Sequence, residues 1–325
     1  MSVHVQGSNI GEAWLASLEA LSRNHWDIVN LTVTIENPAV EDLGIRRTLE
    51  LELARRVRAN VKPAPQSVHT VANTIFPLSL YVAGREDAAQ RFFEAAIAGQ
   101  RSRHGTSARW GTYIGRLLDY PGPKGRANQL KLLLAQLRAE GTQWKDRYEL
   151  AVSIPAEDGP PDPDDGWLDT AGAAVSDWSL SMGARPAPPS KGAERHAARS
   201  LTDLRTISDP HSDHHARGGP CLAHISLTMI DERLHMTALY RRQSYVSRAY
   251  GNFLGLARLQ HFLAAESAHQ VGELMVVATH AEADGTGRRN LLGAASAARG
   301  ESRAIEFQAR ELGASWRDLD LPQVS

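Results

Sequence analysis

Residues 218–257 read GGPCLAHISLTMIDERLHMTALYRRQSYVSRAYGNFLGLA. Apolar and β-branched residues predict strands over 222–229 and 234–240, with Asp231, Glu232 and Arg233 forming the turn between them. The apolar run that begins at Gly251 predicts a long helix over 251–268, buried at the centre of its domain. Cys221, the one cysteine in 325 residues, stands where the Gly218-Gly219-Pro220 turn meets the first strand. A single thiol rules out an intrachain disulfide and makes Cys221 a candidate nucleophile. Arg241 and Arg242, at the end of the second strand, are the cations that could lower its pKa. The plainer alternative is a small apolar side chain packed in a core.

Outward from this stretch the pattern is mixed. Ala13, Trp14, Leu18 and Leu21 share one helical face. Residues 28–35 alternate, with Val29, Leu31, Val33 and Ile35 on one side and Asn30, Thr32 and Thr34 on the other, which predicts a strand with one buried face. Helices are predicted over 42–59, with a stripe of Leu49, Leu53 and Val57, and over 87–98, both lying on the sheet. The fold class expected is α/β (α+β): a mixed, largely antiparallel sheet flanked by helices around a long buried helix.

Composition narrows the function classes. Hydrophobic residues make up 42% of the chain, and 36 Lys and Arg balance 37 Asp and Glu. There is no basic excess to bind a nucleic acid polymer or a membrane surface. No apolar run spans a bilayer, and residues 1–10 lack a signal-peptide pattern, so a cytoplasmic protein is expected. Residues 155–219, rich in Pro, Asp and Gly, are expected to be an insertion within a single domain of residues 1–325. Within it, His211, Asp213, His214 and His215 form a polar loop without the ligand spacing of a metal site, so no metal is expected. Gly251 and Gly255 lack the third glycine and the lysine of a phosphate loop.

The order Pro220-Cys221, strand, turn, strand, Arg241-Arg242-Gln243-Ser244, then Gly251-Asn252-Phe253 opening a helix resembles the thymidylate synthase and pyrimidine hydroxymethylase family. There a Pro-Cys-His step, a strand pair, a Tyr-Gln-Arg-Ser segment and a Phe-Asn-Ile-Ala helix start follow one another. Upstream, the segments 111–116, 128–130 and 150–153 resemble further family segments in the same order.

The resemblance implies a homodimer paired through the sheet and 5,10-methylenetetrahydrofolate as carbon donor. The Cys221 thiolate would add to C6 of a pyrimidine. Tyr113, with Ile114 as its rival in the alignment, matches an active-site tyrosine. Arg242 matches a phosphate-binding arginine, with Gln243 beside it. Asn252 matches the residue that reads the base edge, where an amide suits uracil O4 and N3–H. His280 and Glu282 fall at the sugar, and the folate-binding residues are unknown.

The departures are specific. No glutamate stands near Pro77, and Glu86 or Asp87 substitute only if the chain is rearranged locally. Tyr245 replaces an aspartate used for folate, and Glu282 replaces a tyrosine. Only Arg147 remains near the family's paired arginines, with Arg101, Arg103 and Arg109 as partial substitutes. The family's short C-terminal lid is matched loosely by residues 320–325. These features lead to three expectations: a divergent C5 methyl or hydroxymethyl transferase on a uracil-type nucleotide or nucleoside; an authentic thymidylate synthase; or a catalytically inactive relative that binds a nucleotide or a protein partner.

Overall fold

A computed structural model describes residues 2–62, 64–101, 112–122, 125–139, 148–152 and 220–305. The insertion at 155–219 with its histidine cluster, Arg103, Arg109, Arg147 and the tail at 320–325 lie outside the described residues, as does the side chain of Arg101. The chain divides into one compact unit of residues 1–120, 126–152 and 220–325 and another of 121–125 and 153–219, the latter almost wholly outside the described residues.

The elements run β1 (Val3–Gly7), α1 (Ile10–Arg23), β2 (Asp27–Ile35), β3 (Val40–Asp42), α2 (Leu43–Arg58), α3 (Val68–Ile75), α4 (Ala88–Arg101), α5 (Tyr113–Leu118), β4 (Tyr120–Gly122), β5 (Gly125–Ala127), α6 (Gln129–Ala139) and β6 (Tyr148–Ala151). After the insertion come β7 (Leu222–Ile230), β8 (Arg233–Tyr240), β9 (Gln243–Ser244), α7 (Tyr250–Glu266), β10 (Gln270–Glu282), α8 (Arg288–Ala298) and β11 (Ser302–Ala304). The main sheet has the order β1-β2-β10-β8-β7-β6, with β9 added beside β10. β10 runs antiparallel to β2, and β7 antiparallel to both β8 and β6; β1 with β2, and β10 with β8 and β9, pair in parallel. The architecture is mixed α/β, with most of the sheet register antiparallel and helices flanking it.

The central helix is the one expected. Every residue of α7 from Tyr250 to Ala264 is buried, so it has no polar face to turn toward water. Its two glycines have a packing reason. A Cβ on Gly251 would lie 2.6 Å from Val71 Cβ and 2.8 Å from the Val68 carbonyl, and one on Gly255 would lie 2.8 Å from the Ala72 carbonyl. Glycine at both positions lets α3 approach α7 backbone to side chain, a close approach that a larger residue would block.

Two expectations need correction. On β2, Leu31, Val33 and Ile35 are fully buried, but Val29 is 59% exposed and Ile28 is buried in its stead. Asn30 between them has φ of 59°, a left-handed conformation that asparagine tolerates, and the ladder between β2 and β10 skips the rung of Asn30 and Thr279. The pleat changes phase there in both strands: on β10, Val276 and Ala278 are buried before the skipped rung and Ala281 after it, followed by Ala283 just past the strand. On α2, Val57 is exposed and the buried stripe instead includes Arg46 and Arg56. Arginine enters a core only with its charge matched, and Glu41 and Glu52 do this for them.

Candidate functional site

Cys221 leads into β7, and a β-bulge follows it at once: Leu222 pairs with Tyr240, but His224 pairs with Leu239. The extra residue, Ala223, re-aims the start of the strand, a common use of bulges beside functional residues. Cys221 is exposed. Its carbonyl accepts the Arg241 backbone N–H at 2.8 Å, and the Arg241 guanidinium donates to the Pro220 carbonyl. Thr279 Oγ1 donates to the Arg241 carbonyl at 2.6 Å, fixing the end of β8 against β10. Behind the thiol, Tyr113 on α5 is buried and its hydroxyl accepts the Leu222 N–H at 3.4 Å. Tyr240, fully buried, lies close enough to feel Tyr113 and Cys221, and its hydroxyl has no hydrogen-bond partner among the described residues.

The electrostatics of the thiol are a contest. Although Cys221 reaches the surface, the protein packed around it reduces its solvation and pushes the thiol upward, and Arg241, then Arg242, then Arg248 pull it down; the loss of solvation wins, so the resting thiol sits above an ordinary cysteine. Burial, followed by the charge of Cys221, pushes Tyr113 up to about 12, which keeps its hydroxyl protonated. Arg248 is exposed on the single π-helical turn, Tyr245–Ala249, that leads into α7, and donates to Gln66 Oε1. Such turns occur often at functional sites because they shift the side chains that follow.

A second group lies on β10 and its neighbours. Arg242 donates to both Glu282 oxygens at 2.7 Å through Nη2 and to Oε1 at 3.1 Å through Nε. Ser244 Oγ donates to Glu282 Oε1 at 3.3 Å. His280 Nε2 lies 2.8 Å from Asp27 Oδ2, joining the end of β10 to the start of β2. The Asp27, His280 and Glu282 ligand atoms lie within 4.8 Å of one another and could hold a cation. Such an ion would have to displace Arg242 from Glu282 and separate His280 from Asp27.

The structure thus gathers Cys221 and Tyr113 at one point and Arg242, His280 and Glu282 at another, with Arg242 close enough to act on the thiol. Arg241, expected beside the thiol, bears on it, and the structure adds Arg248 to the cations there, Asp27 to the rim and Tyr240 behind Cys221. Tyr240, directly before the Arg241-Arg242 pair, was an available signal; nothing in the sequence tied Asp27 to His280, because their contact depends on strand order.

Gln243 is 1% exposed, and both its amide atoms are buried without a hydrogen-bond partner among the described residues. Asn252 is 6% exposed on α7, and no described residue hydrogen-bonds its side chain. Asp87, offered as a substitute acid or base, is exposed beside an open cleft with Arg85 and Glu86. Hydrogen bonds from Arg91 and then Arg85 hold its carboxyl below the usual range, the opposite of what a general acid needs.

Among the described residues, the groups that could meet a folate are engaged within the protein. Tyr245 is fully buried, Glu282 is engaged by Arg242, and Asp284 Oδ1 accepts the Val246 and Ser247 N–H groups at 3.0 and 3.1 Å. The described carboxylates near Cys221 are thus paired within the protein, and the donor edge of a pterin would have to displace one of those contacts.

No protein-family model and no curated protein sequence matches the chain. Among solved structures it is similar to the thermostable thymidylate synthase A from Bacillus subtilis, with 11% identity, a TM-score of 0.45, and coverage of 90% of this chain and 86% of that one.

Proposed function

We propose that the protein is a divergent C5 methyl or hydroxymethyl transferase acting on a uracil-type pyrimidine through Cys221. The observation that supports this reading best is the setting of the only thiol: exposed, at a bulged strand start, under the influence of Arg241, Arg242 and Arg248, with the Tyr113 hydroxyl against the next residue.

In the proposed step the thiol gives up its proton and the sulfur lone pair forms the S–C6 bond. The C5–C6 π pair moves to C5 and O4 as an enolate. C5 then takes up an electrophile, either a solvent proton or a one-carbon unit. Loss of a C5 proton and cleavage of S–C6 restore the double bond and release the thiolate. The guanidinium groups of Arg241, Arg242 and Arg248 favour the thiolate whenever a bound base displaces water from around it. The Asn252 amide has the donor and acceptor to meet O4 and N3–H of uracil. 5,10-Methylenetetrahydrofolate would supply the one-carbon unit at the formaldehyde level, which water converts to hydroxymethyl and a hydride from the same donor to methyl; the described residues do not identify what would hold it. The test of transfer is mass spectrometry of uracil nucleosides and nucleotides after incubation with and without that donor. A new C5 substituent appearing only with it is the expected outcome, and its absence with every substrate contradicts the transferase reading.

One observation favours the second reading, an inactive protein that binds a nucleotide: the thiol is pushed up, where a working nucleophile is usually pulled down. That reading predicts pyrimidine binding that survives Cys221→Ala. A homodimer paired through the sheet is also proposed. It is supported by exposed Val29 and Leu239, whose strand neighbours Ile28, Ala238 and Tyr240 are buried on the opposite side. Sedimentation velocity tests it, with a monomer at micromolar concentration as the contrary result.

A further inference from the structure

Arg242 is exposed beside the thiol, yet its guanidinium fork is already filled. Glu282 takes two hydrogen bonds from Nη2 and one from Nε, and Ser244 holds the same carboxylate in place. A fork that grips a carboxylate through two of its nitrogens presents to an incoming phosphate the geometry the phosphate would need for itself. Asp27 stands on the next strand, directly opposite Glu282 in the register. The single positive charge of Arg242 therefore faces two carboxylates. Arg241 and Arg248 make their hydrogen bonds to neutral carbonyl oxygens, of Pro220 and Gln66, and both bear on the Cys221 sulfur. The rim away from the sulfur is rich in acceptors, which suit hydroxyl donors and repel a dianion.

We infer that Glu282 is a specificity determinant that withholds Arg242 from an external phosphate, so that the site takes an uncharged, hydroxyl-bearing pyrimidine nucleoside in preference to its monophosphate. The inference rests on the pyrimidine reading above. Asp27 and Glu282 are the acceptors for sugar hydroxyls, and His280, held by Asp27, is their neighbour.

Because Cys221 is the only cysteine, its alkylation by iodoacetamide reports this site alone. Protection is measured with uridine, uridine 5′-monophosphate and inorganic phosphate, against potassium chloride at matched ionic strength. Wild type, Glu282→Gln and the double variant Glu282→Gln/Arg242→Gln are compared. In wild type, uridine is expected to protect at roughly tenfold lower concentration than its monophosphate, and inorganic phosphate not at all. Glu282→Gln, which keeps the shape and removes the charge, should shift the preference toward the monophosphate by about ten- to a hundredfold, the range of a charge-assisted hydrogen bond. The double variant should lose that gain.

Wild type protected better by the monophosphate, with the ratio unchanged in Glu282→Gln, overturns the inference while leaving the pyrimidine reading intact. If no pyrimidine protects any variant, yet inorganic phosphate slows alkylation of Glu282→Gln and not of wild type, the exclusion of phosphate stands and the pyrimidine reading falls. No protection by any compound in any variant overturns both.

Discussion

Two clusters of arginine, carboxylate and histidine lie in this protein, one sealed and one open. In the sealed one, Arg46 on α2 meets Glu41 at 2.6 Å with both side chains 2% exposed. Arg46 and Arg258 contact opposite nitrogens of His69 at 2.6 and 3.1 Å, and the Tyr250 hydroxyl donates to Glu41 at 3.2 Å. In the open one, Arg242 meets Glu282 at nearly the same distance, 2.7 Å, but with side chains 57% and 24% exposed. Side-chain chemistry is alike in the two, so the solvent makes the difference. The sealed charges have lost their water and must keep each other; the open ones keep part of theirs, so their pairing adds little to stability and acts instead on which charges a ligand meets.

The largest expected effect lies on the sealed side. Glu41→Gln removes the carboxylate that meets the buried Arg46 charge at 2.6 Å and should cost about 3–5 kcal/mol in urea unfolding. A loss below about 1 kcal/mol would place both clusters in the same class.

Next is His261, buried on α7, where desolvation lowers its pKa from the ordinary 6.5 to about 4. A depressed histidine favours the folded state fully above 6.5, and that contribution is lost as pH falls toward 4 because the unfolded chain takes up the proton first. The loss amounts to about 3 kcal/mol. Stability measured between these pH values should fall in wild type and fall less in His261→Gln; equal slopes would remove His261 as the cause.

Gly251→Ala sharpens the packing half of the comparison. Its new methyl would meet Val71 and the Val68 carbonyl, and about 1–3 kcal/mol should be lost by overpacking. Thermal unfolding checks this, and an unchanged midpoint would show that α3 can yield. The smallest effect is on the open side, where Arg242→Gln should change stability by about 1 kcal/mol or less. The same variant should nevertheless slow Cys221 alkylation at neutral pH, because one of the cations that pull the thiol down is gone. Arg241→Gln should slow it further, as Arg241 is the stronger of the two influences.

What could be read in the sequence follows the same division between local pattern and long-range placement. The strand pair of β7 and β8 and the buried α7 were legible because alternation and an unbroken apolar run are local signals. The exposed Val29 was not, since one left-handed residue, Asn30, resets the pleat without leaving any mark in the hydrophobic pattern. The same held for β1, which completes the edge of the sheet only through parallel pairing with β2. Cys221, Tyr113, Arg242, His280 and Glu282 could be named as candidates from the sequence, but the contacts among them could not. Arg242 was expected to await a phosphate and is instead held by Glu282. Gln243, expected beside a ligand, is buried with its amide atoms unpaired among the described residues.

The most direct measurement of the central claim, that Cys221 is a ligand-facing nucleophile, is tritium release from C5-labelled uracil nucleosides and their monophosphates by wild type and Cys221→Ala. The account predicts release by wild type that Cys221→Ala abolishes while remaining folded by circular dichroism. Equal release by the two proteins, or none from any labelled substrate, would contradict it.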